Sequence, residues 1–202
     1  MCLILMAYRC HPDYELLVAA NRDEFHQRPT APLAFWEDVP DLLAGRDLQE
    51  GGTWMGITRA GRFAAITNYR DPHRIMTGAP SRGHLVSGYL QGDQPAGDTL
   101  ERLRSVADRY NSFNLVLGDE TGLYYYSNRA GEPRALPPGV YGLSNHLLDT
   151  PWPKLKRGLA LLRGLLERRR NPTLDDLLQI LTDRALAADA ELPQTGVPLE
   201  WE

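Results

Sequence analysis

Cysteine is scarce in this sequence. Cys2 and Cys10 are the only thiols in 202 residues, too few for a disulfide scaffold, and their spacing is not the C-x-x-C of a zinc or redox site. Scarce, unpaired thiols suit a reducing compartment. Long apolar runs are missing as well. The run from Leu3 to Ala7 is too short for the core of a secretory signal, lacks a basic leader, and is far too short to cross a bilayer. No other stretch qualifies, so a soluble, cytoplasmic protein with no transmembrane segment is expected. A basic surplus is also lacking: 22 Lys and Arg against 26 Asp and Glu give a net charge of −4. No global positive field is available to recruit nucleic acid or an anionic membrane. The histidines His11, His26, His73, His84 and His146 form no HxxxH or HExxH spacing. Neither a glycine-rich phosphate loop before a helix nor a CxxCH haem attachment is present, and no metal site is expected.

What remains is an ordinary globular composition, 43% apolar and 24% charged, without repeats or low-complexity tracts. The length predicts a single domain, 1–202, able to bury a sizeable core. Residues 2–8 and 14–20 are short apolar runs around the turn Arg9-Cys10-His11-Pro12-Asp13, which predicts an antiparallel hairpin of strands buried on both faces. Residues 26–53 carry Pro29, Pro32, Pro40, Gly45, Gly51 and Gly52 and read as a long irregular loop, usually a functional feature. Hairpins follow at 54–58 with 62–67, turning at Gly61, and at 113–118 with 123–127; 140–144 is a further strand. Helices are expected at 81–90, from a capping box at Asp98–Glu101 to about Tyr110, at 154–170 with basic residues at its end, and from a Thr173 cap to about Ala187. The tail from Leu192 is irregular. Strand pairs early and helices late indicate an α+β fold, not a doubly wound sheet.

Cys2 carries the first candidate chemistry. Methionine is normally removed before a small second residue, which would leave Cys2 with both a free α-amine and a thiol. One residue then supplies a nucleophile and its own general base. The alternative is a small hydrophobe at a strand start. Asn21-Arg22-Asp23-Glu24 follows the second apolar run, and hairpin pairing brings Asp23 within reach of Cys2, where a carboxylate would orient the amine. Equally, the cluster opens a solvated loop in which Asp23 pairs with Arg22 or Arg28. Asn68 and Asn145 each end an apolar strand. A side-chain amide there can donate to an oxyanion, although asparagine is common in such turns. Arg82, with Arg70 and Arg74, reads either as an anion site or as ordinary solvated charge.

Taken together, MCLILMAY, ANRDEFHQRPT at 20–30, AGRDLQEGGTWMGITRAGRFAAITNYRDP at 44–72, SRGHLV at 81–86, YGLSNHLLDTPWPKL at 141–155 and LPQTGVPLEWE at 192–202 resemble the NRDE-motif proteins related to Transport and Golgi organisation protein 2. That family in turn resembles the N-terminal nucleophile hydrolases of the bile-salt hydrolase and penicillin V acylase branch. The resemblance implies a four-layer α-β-β-α sandwich of antiparallel sheets and an amide- or thioester-cleaving activity on a small molecule. It implies Cys2 as nucleophile, Asn21 and Asp23 holding the amine, Asn68-Tyr69 as oxyanion hole, and Asn145 as a further donor. The branch has an arginine where this chain has Ala20; Arg22, two residues on, is the expected substitute. No cofactor is implied for catalysis. The family's other implied roles, haem trafficking and lipid or acyl-CoA metabolism, give the alternative of a non-catalytic carrier of haem or acyl-CoA, with Cys2, Cys10 and His11 as first candidates for a haem ligand. Family members continue past LEWE into further strands with a Tyr-Gly-Thr-Arg segment; the sequence stops at Glu202, so a sheet shortened at its C-terminal end is expected.

Overall fold

The structure, a computed structural model, describes residues 2–168 and 171–198. Met1 and the LEWE at 199–202 lie outside the described residues, as do Arg169 and Arg170 at the end of the predicted helix 154–170. The chain divides into two compact units, one formed by Met1–Asp23, Arg70–His73 and Pro137–Glu202, the other by Glu24–Tyr69 and Arg74–Leu136.

The first unit holds β1 (Leu3–Tyr8), β2 (Leu16–Asn21) and, late in the chain, β10 (Gly139–Leu143), all antiparallel in the order β10-β1-β2. Ile4 to Tyr8 are all buried, as predicted for a strand covered on both faces. β2 instead alternates, with Leu17 and Ala19 buried and their neighbours half-buried, because it is an edge strand with one face packed. Helix α3 (Pro153–Arg168) packs on β1 and β10, and α4 (Leu174–Ile180) on β2. The α3 leucines 155, 159, 162 and 165 recur at helical spacing and bury against Leu5, Ala7 and Leu17, the usual stripe of an amphipathic helix. Thr173 caps α4 as expected: its Oγ1 accepts the Asp176 N–H at 3.2 Å, and the Asp176 carboxylate accepts the Thr173 N–H at 2.9 Å. The helix stops at Ile180, short of the predicted Ala187. Asp183 accepts the Ala185 N–H at 2.8 Å and pairs with Arg157 at 2.8 Å, a local side-chain turn that outcompetes further helix.

The second unit is a seven-stranded sheet in sequential order: β3 (Thr30–Phe35), β4 (Leu42–Asp47), β5 (Met55–Thr58), β6 (Phe63–Asn68), β7 (Phe113–Asp119), β8 (Gly122–Ser127) and β9 (Arg134–Leu136). Every pairing is antiparallel, so the α+β expectation holds. Helix α1 (Gly83–Gln91) lies on β4–β6 and α2 (Ala96–Arg104) on β7 and β8. Gly61 turns the β5–β6 hairpin with a φ of 79°, a conformation that glycine adopts at no steric cost.

Two expectations fail here. Residues 26–53 are not one irregular loop, since β3 and β4 lie inside them. β3 carries Pro32 inside the apolar run Ala31–Phe35 and is largely exposed, so the proline, a residue that argues against a strand, masks it. It is an edge strand, the place where a sheet tolerates proline, and its register shifts between Ala31 and Ala34. Nor does Asp98 cap α2. The helix starts three residues earlier, at Ala96 after Pro95, with no side-chain cap of its own. Its Ala96 N–H donates instead to the Asp119 carboxylate of β7 at 2.6 Å. It also ends at Arg104, before a separate 3₁₀ turn at Ala107–Arg109.

Close packing at two glycines gives a stability test. A Cβ on Gly142 would lie 2.8 Å from Leu155 Cγ, whereas one on Gly88 in α1 meets nothing within 4 Å. Gly142→Ala is expected to cost about 1–3 kcal/mol through overpacking, and Gly88→Ala to gain up to about 1 kcal/mol of helix propensity. Urea unfolding of the two variants should move the midpoint in opposite directions.

Candidate functional site

Cys2 stands immediately before β1. Leu3 pairs with Asn21, so the chain leaving β2 carries Arg22 and Asp23 alongside Cys2. The Cys2 thiol lies 3.9 Å from the main-chain oxygen of Asp23. On the other edge Ile4 pairs with Leu143, and extending that register by two positions sets Cys2 opposite Asn145. Cys2 is half-buried and Cys10 is exposed.

Cys2 is held by its carbonyl. That oxygen accepts a hydrogen bond from the Ser144 hydroxyl at 2.8 Å and from Lys154 Nζ at 3.1 Å. Ser144 and Asn145 follow β10, are buried, and sit in a loop tied down at both ends. The Asn145 carbonyl accepts the Arg70 N–H at 2.7 Å. Asp149, at a φ of 60°, accepts the Gly142 N–H on its carboxylate at 2.7 Å and donates its own N–H to Gly142 O at 2.8 Å. Aspartate is one of the few residues that visit this left-handed conformation readily.

A cavity of about 250 Å³ lies between the end of β1–β2 and the helices, with walls that include Leu3, Asn21, Asp23, Lys154 and the paired Arg157 and Asp183; Cys2 is not among its lining residues. The Asn21 amide donates to Leu181 O at 3.2 Å, which fixes one wall to the end of α4. Burial pushes the Lys154 amine down to about 8; the charge of Cys2 opposes that shift and Arg70 adds to it. An ammonium near neutrality can therefore both donate and give up a proton in this cavity.

Among the predicted site residues, Cys2, Asn21, Arg22, Asp23 and Asn145 belong to the first unit, and Asn68, Tyr69 and Arg82 to the second. Asn68 is the exposed last residue of β6. The Tyr69 N–H donates to Ser112 O at 3.0 Å, and its ring lies 5.9 Å from the Arg129 guanidinium. Arg82 is not a solvated charge: it is half-buried and donates to Ser112 O at 2.8 Å. Burial pulls its pKa down, with Glu24 opposing. The three arginines of the expected anion site are divided, Arg70 in the first unit and Arg74 with Arg82 in the second. Arg28 bonds Asp47 at 2.6 Å. Cys10 and His11 lie in the turn at the far end of β1 from Cys2. There the Cys10 thiol donates to Tyr8 O at 3.2 Å and His11 Nδ1 accepts the Asp13 N–H at 3.1 Å. Cys2 and Cys10 thus do not share a site.

Lys154 and Ser144 escaped the sequence reading as site residues. The available signal was the lysine itself, placed in the first turn of α3, which carries no acidic residue. A cation opposes the helix dipole there and needs another reason to be present.

Comparison with known proteins identifies the family and the fold. The profile of the family described as Transport and Golgi organisation 2 matches residues 1–202. The Transport and Golgi organization protein 2 homolog of Bos taurus is 40% identical over 98% of this chain and 76% of its own length. The Homo sapiens homolog is 38% identical over the same shares, and the Drosophila melanogaster protein 26% identical over 91% of this chain and 73% of its own. Among solved structures, the Caenorhabditis elegans N-acylethanolamine-hydrolyzing acid amidase ortholog superposes with a TM-score of 0.61, covering 91% of this chain and 86% of that one at 10% identity. That likeness shows a shared fold. No helix among the described residues is long and apolar enough to cross a membrane.

The Lys154 environment sets a pH dependence. Its folded pKa of about 8 lies below the ordinary lysine value of ~10.4. Between those values the unfolded chain binds more protons, so this group's unfavourable contribution is fully present below pH ~8 and is relieved as pH rises toward ~10.4. In urea titrations the stability of the parent relative to Lys154→Met is therefore expected to increase from pH 7.5 to 10. A constant difference would contradict the assigned environment.

Proposed function

Because this chain belongs to the Transport and Golgi organisation 2 family and shares its fold with an amidase, we propose that it is a hydrolase whose nucleophile is an N-terminal cysteine. The observation that carries the reading is the clamp on Cys2. Its carbonyl is gripped by Ser144 and Lys154 while the residue stays half-buried with its thiol beside the Asp23 main chain. A merely space-filling cysteine at a strand start needs no such clamp. A nucleophile does, since reacting groups must be held within a fraction of an ångström of the productive geometry.

In this mechanism Met1 is removed first, which frees the Cys2 α-amine. The amine takes the thiol proton as sulfur attacks the carbonyl carbon of an amide or thioester, and a C–S bond forms. Asp23 orients the resulting ammonium. The Asn145 amide donates to the oxyanion. Collapse of the tetrahedral intermediate breaks the bond to the leaving amine or thiol, which departs with the proton from the ammonium. Water, deprotonated by the same amine, then hydrolyses the thioester acyl-enzyme. Lys154 and Ser144 hold the Cys2 backbone throughout.

The test begins with the intact mass of the purified protein, which should lack Met1. Turnover of N-acyl amides and acyl thioesters should then fall by about 10²-fold or more in Cys2→Ala, and an acyl adduct on Cys2 should be trapped at low pH. Equal turnover by parent and variant would sink the mechanism. Retained Met1 together with saturable haem or acyl-CoA binding would instead identify the carrier.

A further inference from the structure

A second feature lies in the other unit, between α1 and α2. A groove of about 410 Å³ runs there, within the size range of about 300–1,000 Å³ typical of small-molecule sites. Leu85, Leu103, Val106 and Leu115 contribute apolar wall, and Arg62 and Arg102 also line it. No aspartate or glutamate is among its lining residues.

Neither arginine is paired with a carboxylate among the described residues. The Arg62 guanidinium stacks 4.0 Å over the Tyr89 ring, and its Nη2 donates only to main-chain oxygens, Tyr89 O at 3.1 Å and Gln94 O at 2.8 Å. Its Nε is buried with no hydrogen-bond partner, an uncommon and costly state for a charged donor. Arg102 donates to Asp98 O at 3.4 Å and to the Gln94 side-chain oxygen at 2.7 Å. Neither forms an ion pair among the described residues, whereas Arg28, Arg46, Arg104 and Arg157 in the same chain each have one. Two uncompensated cations beside an apolar trough are complementary to an anion that carries its own apolar chain. Gly88 keeps the trough open, because it lines the groove and a Cβ there would meet nothing within 4 Å.

We propose that the α1–α2 groove binds an amphiphilic carboxylate of the fatty-acid class, with the alkyl chain along Leu85, Leu103 and Val106 and the carboxylate at Arg62 and Arg102. The site is independent of Cys2 and of the hydrolase reading.

Isothermal titration of the full chain with decanoate, decanol and decyl phosphate, each below its aggregation threshold, tests the assignment. Decanoate is expected to saturate and to bind at least about tenfold more tightly than decanol, since a hydrogen bond to a charged group is worth ~1.5–3 kcal/mol. Gly88→Met, which fills the trough and favours helix, should abolish binding. Arg102→Gln should weaken decanoate about tenfold or more and leave decanol unchanged, and it decides the matter if the Gly88 variant melts early. Amide shifts in an NMR titration should fall on 83–106. No saturation by the parent, equal affinity for decanol and decanoate, or unaltered binding in both variants would overturn the proposal. A tenfold preference for decyl phosphate would overturn the carboxylate assignment.

Discussion

Strand β1 is paired on both edges, to β2 with Leu3 against Asn21 and to β10 with Ile4 against Leu143. Everything around Cys2 depends on that double pairing. Side chains alternate faces along a strand, so a slip of one residue would put Ile4, Met6 and Tyr8 where Leu5 and Ala7 now pack against α3, and would misfit both covered faces. With Ile4 through Tyr8 all buried, such a slip is heavily penalised. The register therefore delivers Asp23 from one neighbour and Ser144-Asn145 from the other to the same end of β1.

Holding that end in place carries an electrostatic cost. Lys154 is buried enough to lose much of its affinity for a proton, and its hydrogen bond to the Cys2 carbonyl offsets part of the desolvation. The Asp149 backbone conformation and the Asn145–Arg70 hydrogen bond tie the same loop further. A packed core alone would not require this density of polar restraint, and polar restraint is what distinguishes this corner from the leucine-lined contact of α3 with β1. The groove on α1 and α2 shows the opposite imbalance, with positive charge left unmatched by protein.

Much of the architecture was legible in advance because it rests on local rules. The β1–β2, β5–β6 and β7–β8 hairpins each join apolar runs through short polar turns, and Gly61 marks one of those turns outright. The Thr173–Asp176 box and the leucine stripe of α3 are equally local. Strand β3 was hidden because Pro32 interrupts its apolar run, and a proline is tolerated there only because the strand lies at an edge of the sheet. The start of α2 was misplaced because its first N–H is satisfied by Asp119, which is 23 residues away; no neighbour in sequence announces such a cap.

The same division runs through the candidate site. Chain chemistry alone pointed to Cys2, Asp23, Asn68 and Asn145, since a cysteine behind the initiator methionine, a carboxylate after the second apolar run and asparagines at strand ends are visible as residue types in position; the role of Asn21 came from the family resemblance. Lys154 was different. Its importance arises from a hydrogen bond across 152 residues and from burial under elements that meet only when β1, β10 and α3 pack together. A residue's identity and local period are written in the chain, whereas its solvation, its distant partner and the proton affinity that follows are properties of the packed fold.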